Sequence, residues 1–286
     1  MKKWVDFFFY SNLYAVVLIT ALIYQSFLLN GVPFSWTPEV AVLVCGTLFV
    51  YPFHRVNGLK SIPDASKMER HYFAQNHSVF IYGLSLVGLI GAGYYTLQLS
   101  LNDWLLLVPV GFISVAYILP IVPQNGKWIK IRELPYLKVF FIAVVVAYLT
   151  VVFPLQKNID WKDLTFLAFS RSLFLIAITI PFDIRDYGID KLQGIQTLPV
   201  KFGIEKSKSI AVFINIFFTL FTFVQFFSLG LTSLAVFFAF WISETYADVF
   251  IKKADPTKSE HWFSIYVEGA ILVQTALVVL AIWIYG

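Results

Sequence analysis

Long apolar runs alternate with shorter polar segments along the whole chain. Nine runs are visible, and most are long enough to cross about 30 Å of bilayer hydrocarbon as a helix rising about 1.5 Å per residue. They lie at about 7–29, 38–53, 78–99, 104–123, 137–154, 164–182, 209–230, 231–249 and 264–285. The pattern predicts an all-α fold, a multi-pass membrane helical bundle of about nine transmembrane helices.

The composition agrees with this prediction. Hydrophobic residues make up 59% of the 286 residues and charged residues only 13%, whereas a soluble domain carries about 25% charged residues. The first run is too long for the core of a signal peptide and lacks a cleavage site of the A-x-A type, so we expect it to stay in the membrane. The single cysteine, Cys45, provides no disulfide framework.

The positions of the lysines and arginines predict an orientation. They collect at the amino terminus and in the segments after the second, fourth, sixth and eighth runs, whereas the opposite side has only Lys157 and Lys162. Cytoplasmic loops carry an excess of these residues. We therefore expect an integral protein of the bacterial cell (inner) membrane, with its amino terminus and its long polar loops in the cytoplasm.

Two long polar segments occupy equivalent places in the pattern. Residues 54–77 follow the second run, and residues 183–208 follow the sixth. This spacing favours two four-helix halves plus a ninth helix, together forming a single domain over residues 1–286, although no sequence repeat is visible between the halves. Sites in helical membrane proteins tend to lie where such halves meet.

The stretch PFDIRDYGIDKLQGIQTLPVKFG, residues 181–203, brings three acids to the end of an apolar run. On one continuous helix, Asp183, Asp186 and Asp190 would lie within about 60° of one another. Mg²⁺ takes oxygen ligands and commonly joins one or two carboxylates to substrate phosphates. The spacing therefore indicates a candidate Mg²⁺ site, although acids at a helix exit are equally often only solvated.

The surrounding residues suit a diphosphate ligand. Arg185, Lys191 and Lys201 lie close enough in sequence to contact remaining diphosphate oxygens. Gly188, Gly194 and the segment 197–199 are expected to end the helix and return the chain over the site. Deeper in the same run, Arg171 is expected to face the bundle interior and to pair with Glu268 or Glu244.

The stretch DIRDYGIDKLQGIQTLPVKFG resembles the second aspartate-rich motif of the UbiA superfamily of intramembrane prenyltransferases. That motif runs D-x-x-D-x-x-x-D, followed by a glycine and T-L-P-V-x-x-G. The matching positions are Asp183, Asp186, Asp190, Gly194, Thr197, Leu198, Pro199, Val200 and Gly203. The resemblance implies that the three aspartates are catalytic and hold Mg²⁺ as the cofactor.

A second segment is similar to the family's cytoplasmic segment after the fourth helix. It includes AYILP, from Ala116, and KWIKIRELPYLKVFFIAV. The resemblance implies that Tyr117 and a lysine such as Lys127 or Lys130 approach the isoprenoid diphosphate. Altogether the resemblance covers roughly residues 40–205 and also implies nine helices in two halves.

The chain departs from the family after the second run. Family enzymes carry N-D-x-x-D-x-x-x-D there, but VYPFHRVNGLKSIPD contains no acid before Asp64. Two interpretations stay open. In one, Arg55, Lys60 and Arg70 neutralise the diphosphate directly, as a guanidinium suits phosphate, beside one Mg²⁺ on the second motif. In the other, the chain has lost diphosphate ionisation and keeps the scaffold for another task. Arg55 could also be a simple cytoplasmic anchor.

These observations predict a transferase that moves an isoprenyl group from a polyprenyl diphosphate to an unknown acceptor. The expected partners are the isoprenyl diphosphate, a small-molecule or lipid acceptor and the lipid bilayer, with no nucleic acid. Two alternatives remain. One is a non-catalytic or transport-type membrane protein that binds a prenyl or lipid diphosphate, and the other is an intramembrane terpene cyclase.

Overall fold

The computed structural model describes residues 2–58, 69–119, 122–124, 127–129, 134, 137–228 and 230–285. Its helices are α1 Lys2–Tyr10, α2 Leu13–Leu29, α3 Pro38–Gly58, α4 Glu69–Asn76, α5 Ser78–Thr96, α6 Leu101–Ile118, α7 Leu137–Ala147, α8 Phe153–Leu155, α9 Trp161–Arg185, α10 Tyr187–Leu192, α11 Leu198–Phe202, α12 Ile204–Phe227, α13 Leu234–Lys253, α14 Glu260–Trp262 and α15 Ala270–Tyr285. Strands β1 Val122–Gln124 and β2 Lys127–Ile129 form one antiparallel pair, in which Pro123 lies opposite Trp128. Wider π-helical turns at Tyr148–Val152 and Phe263–Glu268 join α7 to α8 and α14 to α15.

The helices confirm the class of fold. Within the described residues, six are long and apolar enough to cross a membrane: Ser78–Thr96, Leu137–Leu155, Trp161–Arg185, Ile204–Phe227, Leu234–Lys253 and Glu260–Tyr285. Shorter apolar helices at Leu13–Leu29, Pro38–Phe53 and Leu101–Ser114 lie on the other three predicted runs. The protein is therefore a helical integral membrane protein, whereas the count of about nine spans is not confirmed.

The chain divides into two compact units. The first comprises Met1–Tyr24 and Pro33–Asp103, and the second comprises Gln25–Val32 and Trp104–Gly286. The first unit ends near the start of α6, so it is smaller than the predicted first half of four spans. The single domain over residues 1–286 stays a prediction.

Close contact between α3 and α5 organises the first unit. Gly88 makes this contact possible, because a Cβ atom there would lie 2.5 Å from the backbone nitrogen of Phe49. One turn earlier, the Ser85 hydroxyl donates a hydrogen bond to the Phe49 carbonyl at 2.9 Å. Small residues on α5 thus let it approach the backbone of α3, as is common between membrane helices.

Helix α9 is the centre of the second unit. It packs against α7 and α12, and α13 in turn packs against α12 and α15. More than half of the 25 residues of α9 are buried. The ring of Phe174 on α9 lies 5.5 Å from that of Phe218, which lies 5.6 Å from that of Phe240. The apolar core therefore fixes α9, and with it Asp183 near its carboxyl end.

Candidate functional site

The aspartate motif extends over two helices. Helix α9 ends at Arg185, and Asp186 is its C-cap with φ −87° and ψ 4°, outside the helical range. Helix α10 begins at the next residue, and the Asp190 amide still donates to the Asp186 carbonyl at 2.9 Å. The prediction of one continuous helix carrying all three acids is therefore wrong, because the backbone bends at the middle one.

Gly188 lies inside α10 and does not end a helix, contrary to the prediction, whereas after α10 the chain turns back as predicted. Gly194 has φ +73° and Gly203 has φ +84°, conformations that favour glycine because it lacks a Cβ atom. Between them, Thr197 has an extended backbone and is the N-cap of α11, with Pro199 in the first turn. This return brings the buried side chain of Thr197 to the acidic end of α9.

Asp183 lies at the end of α9 and pairs with Lys138, near the start of α7. The Lys138 Nζ lies 2.8 Å from Asp183 Oδ1, and only 3% of the aspartate side chain is exposed, against 26% of the lysine side chain. The Lys138 ammonium also interacts electrostatically with Asp190 and Asp186. It is therefore a cation within electrostatic reach of all three acids of the motif.

The other two aspartates are in different environments. Asp186 faces Arg185, which donates from Nε at 2.8 Å and from Nη2 at 2.9 Å. The guanidinium of Arg185 also lies over the rings of Phe182 at 4.9 Å and Phe263 at 6.0 Å. Arg185 is thus held by a forked contact and two rings, although the sequence placed it among the diphosphate ligands.

Asp190 is buried, with 6% of its surface exposed. In the described part of the chain, its Oδ2 atom and the Thr197 hydroxyl are buried and make no hydrogen bond of normal geometry, although the Thr197 side chain still interacts with Asp190 and lowers its pKa. Burial raises the pKa of Asp190 to about 6, and the charges of Asp183 and Asp186 raise it further, whereas Lys138 opposes them. A buried acceptor without a partner costs about 1–3 kcal/mol, so this oxygen is a candidate contact for a ligand.

The chemistry of these side chains suits Mg²⁺, but their arrangement does not join all three. Carboxylate oxygens are ligands that this ion accepts. Among the described residues, however, no three His, Cys, Asp or Glu side chains are placed to hold a metal ion together. Asp186 faces Arg185, and Lys138 already contacts Asp183. A metal ion on this motif would have to share Asp183 with Lys138.

The remaining predicted ligands differ in how far the structure describes them. Lys191 is exposed, with its Nζ 5.7 Å from the centre of the Tyr187 ring, and Lys201 is exposed on α11. The side chains of Arg55, Tyr117 and Lys127, and all of Lys60 and Lys130, lie outside the described residues. Their roles stay predictions.

Sequence reasoning missed Lys138 as a site residue. It lies near the start of an apolar span, where a lysine usually indicates only an interfacial anchor, and it is 45 residues from Asp183. One signal could have found it, because Lys138 lies in the segment from Lys127 to Val144 that is similar to the family's cytoplasmic segment. That resemblance implies Lys127 or Lys130 as the diphosphate ligand and does not single out Lys138.

Arg171 is a second buried cation of the same unit, twelve residues before Asp183 on α9. It donates from Nη2 to Gln25 Oε1 at 2.6 Å and from Nη1 to the hydroxyls of Ser26 and Thr150. The Ser26 hydroxyl in turn donates to the Thr150 carbonyl at 2.6 Å. These partners are uncharged, whereas the sequence predicted an acidic one.

Comparison with known proteins supports the fold. No protein-family profile matches the chain, and no curated protein matches it by sequence. A solved structure described as digeranylgeranylglyceryl phosphate synthase in membranes matches with a TM-score of 0.54, over 99% of this chain and 98% of that chain, at 15% identity. At that identity the likeness shows the fold, which is shared from end to end with a membrane synthase.

Proposed function

We propose that the protein transfers an isoprenyl group from its diphosphate to an acceptor at the carboxyl end of α9. The observation that supports this most is the pairing of Lys138 with Asp183 beside the buried Asp190. It brings charged side chains together at the end of α9, in a chain whose fold matches a digeranylgeranylglyceryl phosphate synthase along its whole length. The aspartates Asp183, Asp186 and Asp190 are the proposed catalytic residues.

The proposed reaction is an alkyl transfer. The bond between the first carbon of the prenyl chain and the diphosphate oxygen breaks, and the diphosphate leaves with the electron pair. A nucleophilic atom of the acceptor bonds to that carbon and releases a proton. Cations at the site would favour the leaving diphosphate, since electrostatic stabilisation of the charge that develops in the transition state commonly contributes most to catalysis.

Several cations could hold the diphosphate. Lys138 is added to the proposed diphosphate ligands because it contacts Asp183. Lys191 and Lys201, which are exposed and close to the aspartates in sequence, remain among the proposed ligands. Mg²⁺ remains the proposed cofactor and would supply Lewis-acid stabilisation of the leaving group when bound. Asp183 and Asp190 would hold it, whereas Asp186 is held by Arg185. The proposed contacts of Arg55, Lys60, Tyr117, Lys127, Lys130 and Arg185 rest on the sequence.

The acceptor and the location are further parts of the proposal. The name of the matching synthase describes an isoprenoid glyceryl phosphate, which favours a lipid phosphate among the possible acceptors, with aromatic acids, quinone precursors and porphyrin-type rings as alternatives. The distribution of Lys and Arg supports a cytoplasmic site in a bacterial inner membrane.

Product analysis tests the proposal against its alternatives. The purified protein in lipid nanodiscs would be incubated with a labelled allylic diphosphate, Mg²⁺ and a panel of acceptors, beside Asp183→Asn. We expect a prenylated acceptor from the natural protein and none from the variant. A cyclic hydrocarbon would indicate a terpene cyclase instead. Binding of the diphosphate without turnover for any acceptor would favour a non-catalytic binding protein.

A further inference from the structure

Three acids and two cations meet at the end of α9, and the cations are divided unequally among the acids. Asp183, Asp186 and Asp190 lie within electrostatic reach of one another. Arg185 makes a forked contact with Asp186. Lys138 is then the cation between Asp183 and Asp190, contacting Asp183 directly and Asp190 through space.

We propose that Lys138 is a tethered counter-cation that occupies the position of a metal ion at Asp183 and Asp190, and that it moves from these acids to the diphosphate when Mg²⁺ and diphosphate bind together. This inference rests on the proposed function and adds a way in which Lys138 regulates the binding of Mg²⁺ at the site. It predicts that Mg²⁺ alone binds weakly to the resting site, because the site already holds a cation.

The side chain of Lys138 suits such an exchange. An ammonium is a point charge on a flexible four-carbon stem, without the fixed fork of a guanidinium. About a quarter of the Lys138 side chain is exposed, so rotation of its flexible stem would bring the Nζ from Asp183 to water or a ligand, while its partner is almost fully buried. Asp183 is fixed on the packed helix α9, so the lysine is the partner that moves.

The orphan atoms nearby indicate where the incoming cation would bind. Among the described residues, Asp190 Oδ2 and the Thr197 hydroxyl make no hydrogen bond of normal geometry, although the two side chains interact with each other. A hydrated cation on Asp183 and Asp190 would supply ligand contacts to that oxygen and water hydrogen bonds to the hydroxyl. The displaced ammonium could then form charge-assisted hydrogen bonds to diphosphate oxygens.

Two opposite effects of one substitution follow. Lys138→Met removes the charge and keeps a similar stem length, so Mg²⁺ alone should bind more tightly, on the order of tenfold. The same variant should lose the mutual strengthening between Mg²⁺ and diphosphate, since the group that links the two ligands is absent. A lysine with only a structural role would produce neither effect.

Calorimetric titration of the full chain tests the inference. MgCl₂ would be added with and without inorganic pyrophosphate to the natural protein, Lys138→Met and Lys206→Met. Lys206 is the matched control, because it is an exposed lysine near the start of α12, beside the Phe202 ring. We expect tighter binding of Mg²⁺ alone in Lys138→Met and no change in Lys206→Met. Unchanged or weaker binding in Lys138→Met would overturn the inference.

A second variant keeps the test informative if Lys138→Met does not fold. Lys138→Arg retains the charge and can grip Asp183 with two donors, so Mg²⁺ alone should bind more weakly than to the natural protein. Equal or tighter binding would contradict the inference. The natural protein separates the two proposals. If the natural protein binds no pyrophosphate in the presence of Mg²⁺, the proposed function fails. If it binds pyrophosphate with Mg²⁺ but the Lys138 variants leave Mg²⁺ affinity unchanged, only the counter-cation role is rejected.

Discussion

Lys138 and Arg171 are two cations of the same unit with opposite surroundings. Lys138 is 26% exposed and makes one short contact, to the Asp183 carboxylate. Arg171 is 4% exposed and donates hydrogen bonds to the uncharged residues Gln25, Ser26 and Thr150. A single contact near solvent can be exchanged for another, whereas several fixed contacts in the interior cannot. The first arrangement suits a binding site and the second suits a structural support.

The difference follows from the two side chains and from where they lie. The planar guanidinium of Arg171 presents donors in a fixed fork, and its partners come from α2 and from the π-helical turn after α7. It thereby ties two helical elements to α9. Lys138 ties only α7 to the end of α9, at a point where the chain emerges from the apolar core.

The largest effect is expected from removing the interior cation. Arg171→Met should lower the free energy of unfolding by about 3–5 kcal/mol, because it leaves several buried acceptors without a donor at about 1–3 kcal/mol each. Thermal and denaturant unfolding in detergent would measure this loss. The paired change Lys138→Met with Asp183→Asn provides the comparison and should cost less than about 1.5 kcal/mol, because it removes both partners and leaves no buried charge without a counter-ion. Equal losses of unfolding free energy in the two variants would contradict the distinction between Arg171 as a structural support and Lys138 as an exchangeable cation.

The next effect concerns the acid that Lys138 contacts. Asp183→Asn should weaken binding of pyrophosphate with Mg²⁺ by about 1.5–3 kcal/mol, the scale of a hydrogen bond to a charged group. The stability should fall less than in Arg171→Met, because the freed lysine can turn to water. Asp160→Asn is the matched control, since Asp160 is an exposed acid at the N-cap position of α9, at the opposite end of the helix, and its side chain makes no capping hydrogen bond. Normal binding in Asp183→Asn would contradict the assignment of the site.

The third effect is a pH dependence from Asp190. Its pKa is raised to about 6, chiefly by burial, so the folded protein holds this proton more tightly than the unfolded chain. Stability from this group is therefore present below about pH 4 and declines until about pH 6, above which it stays level. Protons also compete with a metal ion, so Mg²⁺ affinity should rise about tenfold from pH 5 to pH 7.

Titrations of Mg²⁺ at several pH values would measure the proton competition. Asp190→Asn should bind Mg²⁺ more weakly and with a flatter pH dependence, because it has no proton to lose. Asp160→Asn should retain the full dependence. If the affinity of the natural protein does not change between pH 5 and pH 7, Asp190 does not hold the metal ion.

The parts of the fold that the sequence predicted correctly depend on local patterns. Apolar runs correspond to membrane-long helices such as Trp161–Arg185 because hydrocarbon forces backbone groups to pair within one segment. Gly194 was expected to turn the chain and has φ +73°. The acids at a helix exit were also visible, since their spacing needs no knowledge of other helices.

The parts that the sequence could not predict depend on contacts between distant segments. Lys138 and Asp183 are 45 residues apart, and Arg171 and Gln25 are 146 apart, so no local pattern pairs them. The bend at Asp186 is another case. Its carboxylate accepts two bonds from Arg185 in a geometry that ends α9, and helical periodicity alone predicted that the helix would continue.

The smallest effect is expected from Lys191, a third kind of cation that sharpens the comparison. It is exposed, and its Nζ lies 5.7 Å from the centre of the Tyr187 ring. Lys191→Met should change the affinity for pyrophosphate with Mg²⁺ by less than about 1 kcal/mol, because exposed ion contacts contribute little. That change should shrink further between about 0.05 M and about 0.3 M salt, since salt screens exposed charges. A loss of affinity as large as that of Asp183→Asn would mean that Lys191 contacts the diphosphate directly. Exposure of the side chain would then not predict the size of the effect for the three cations.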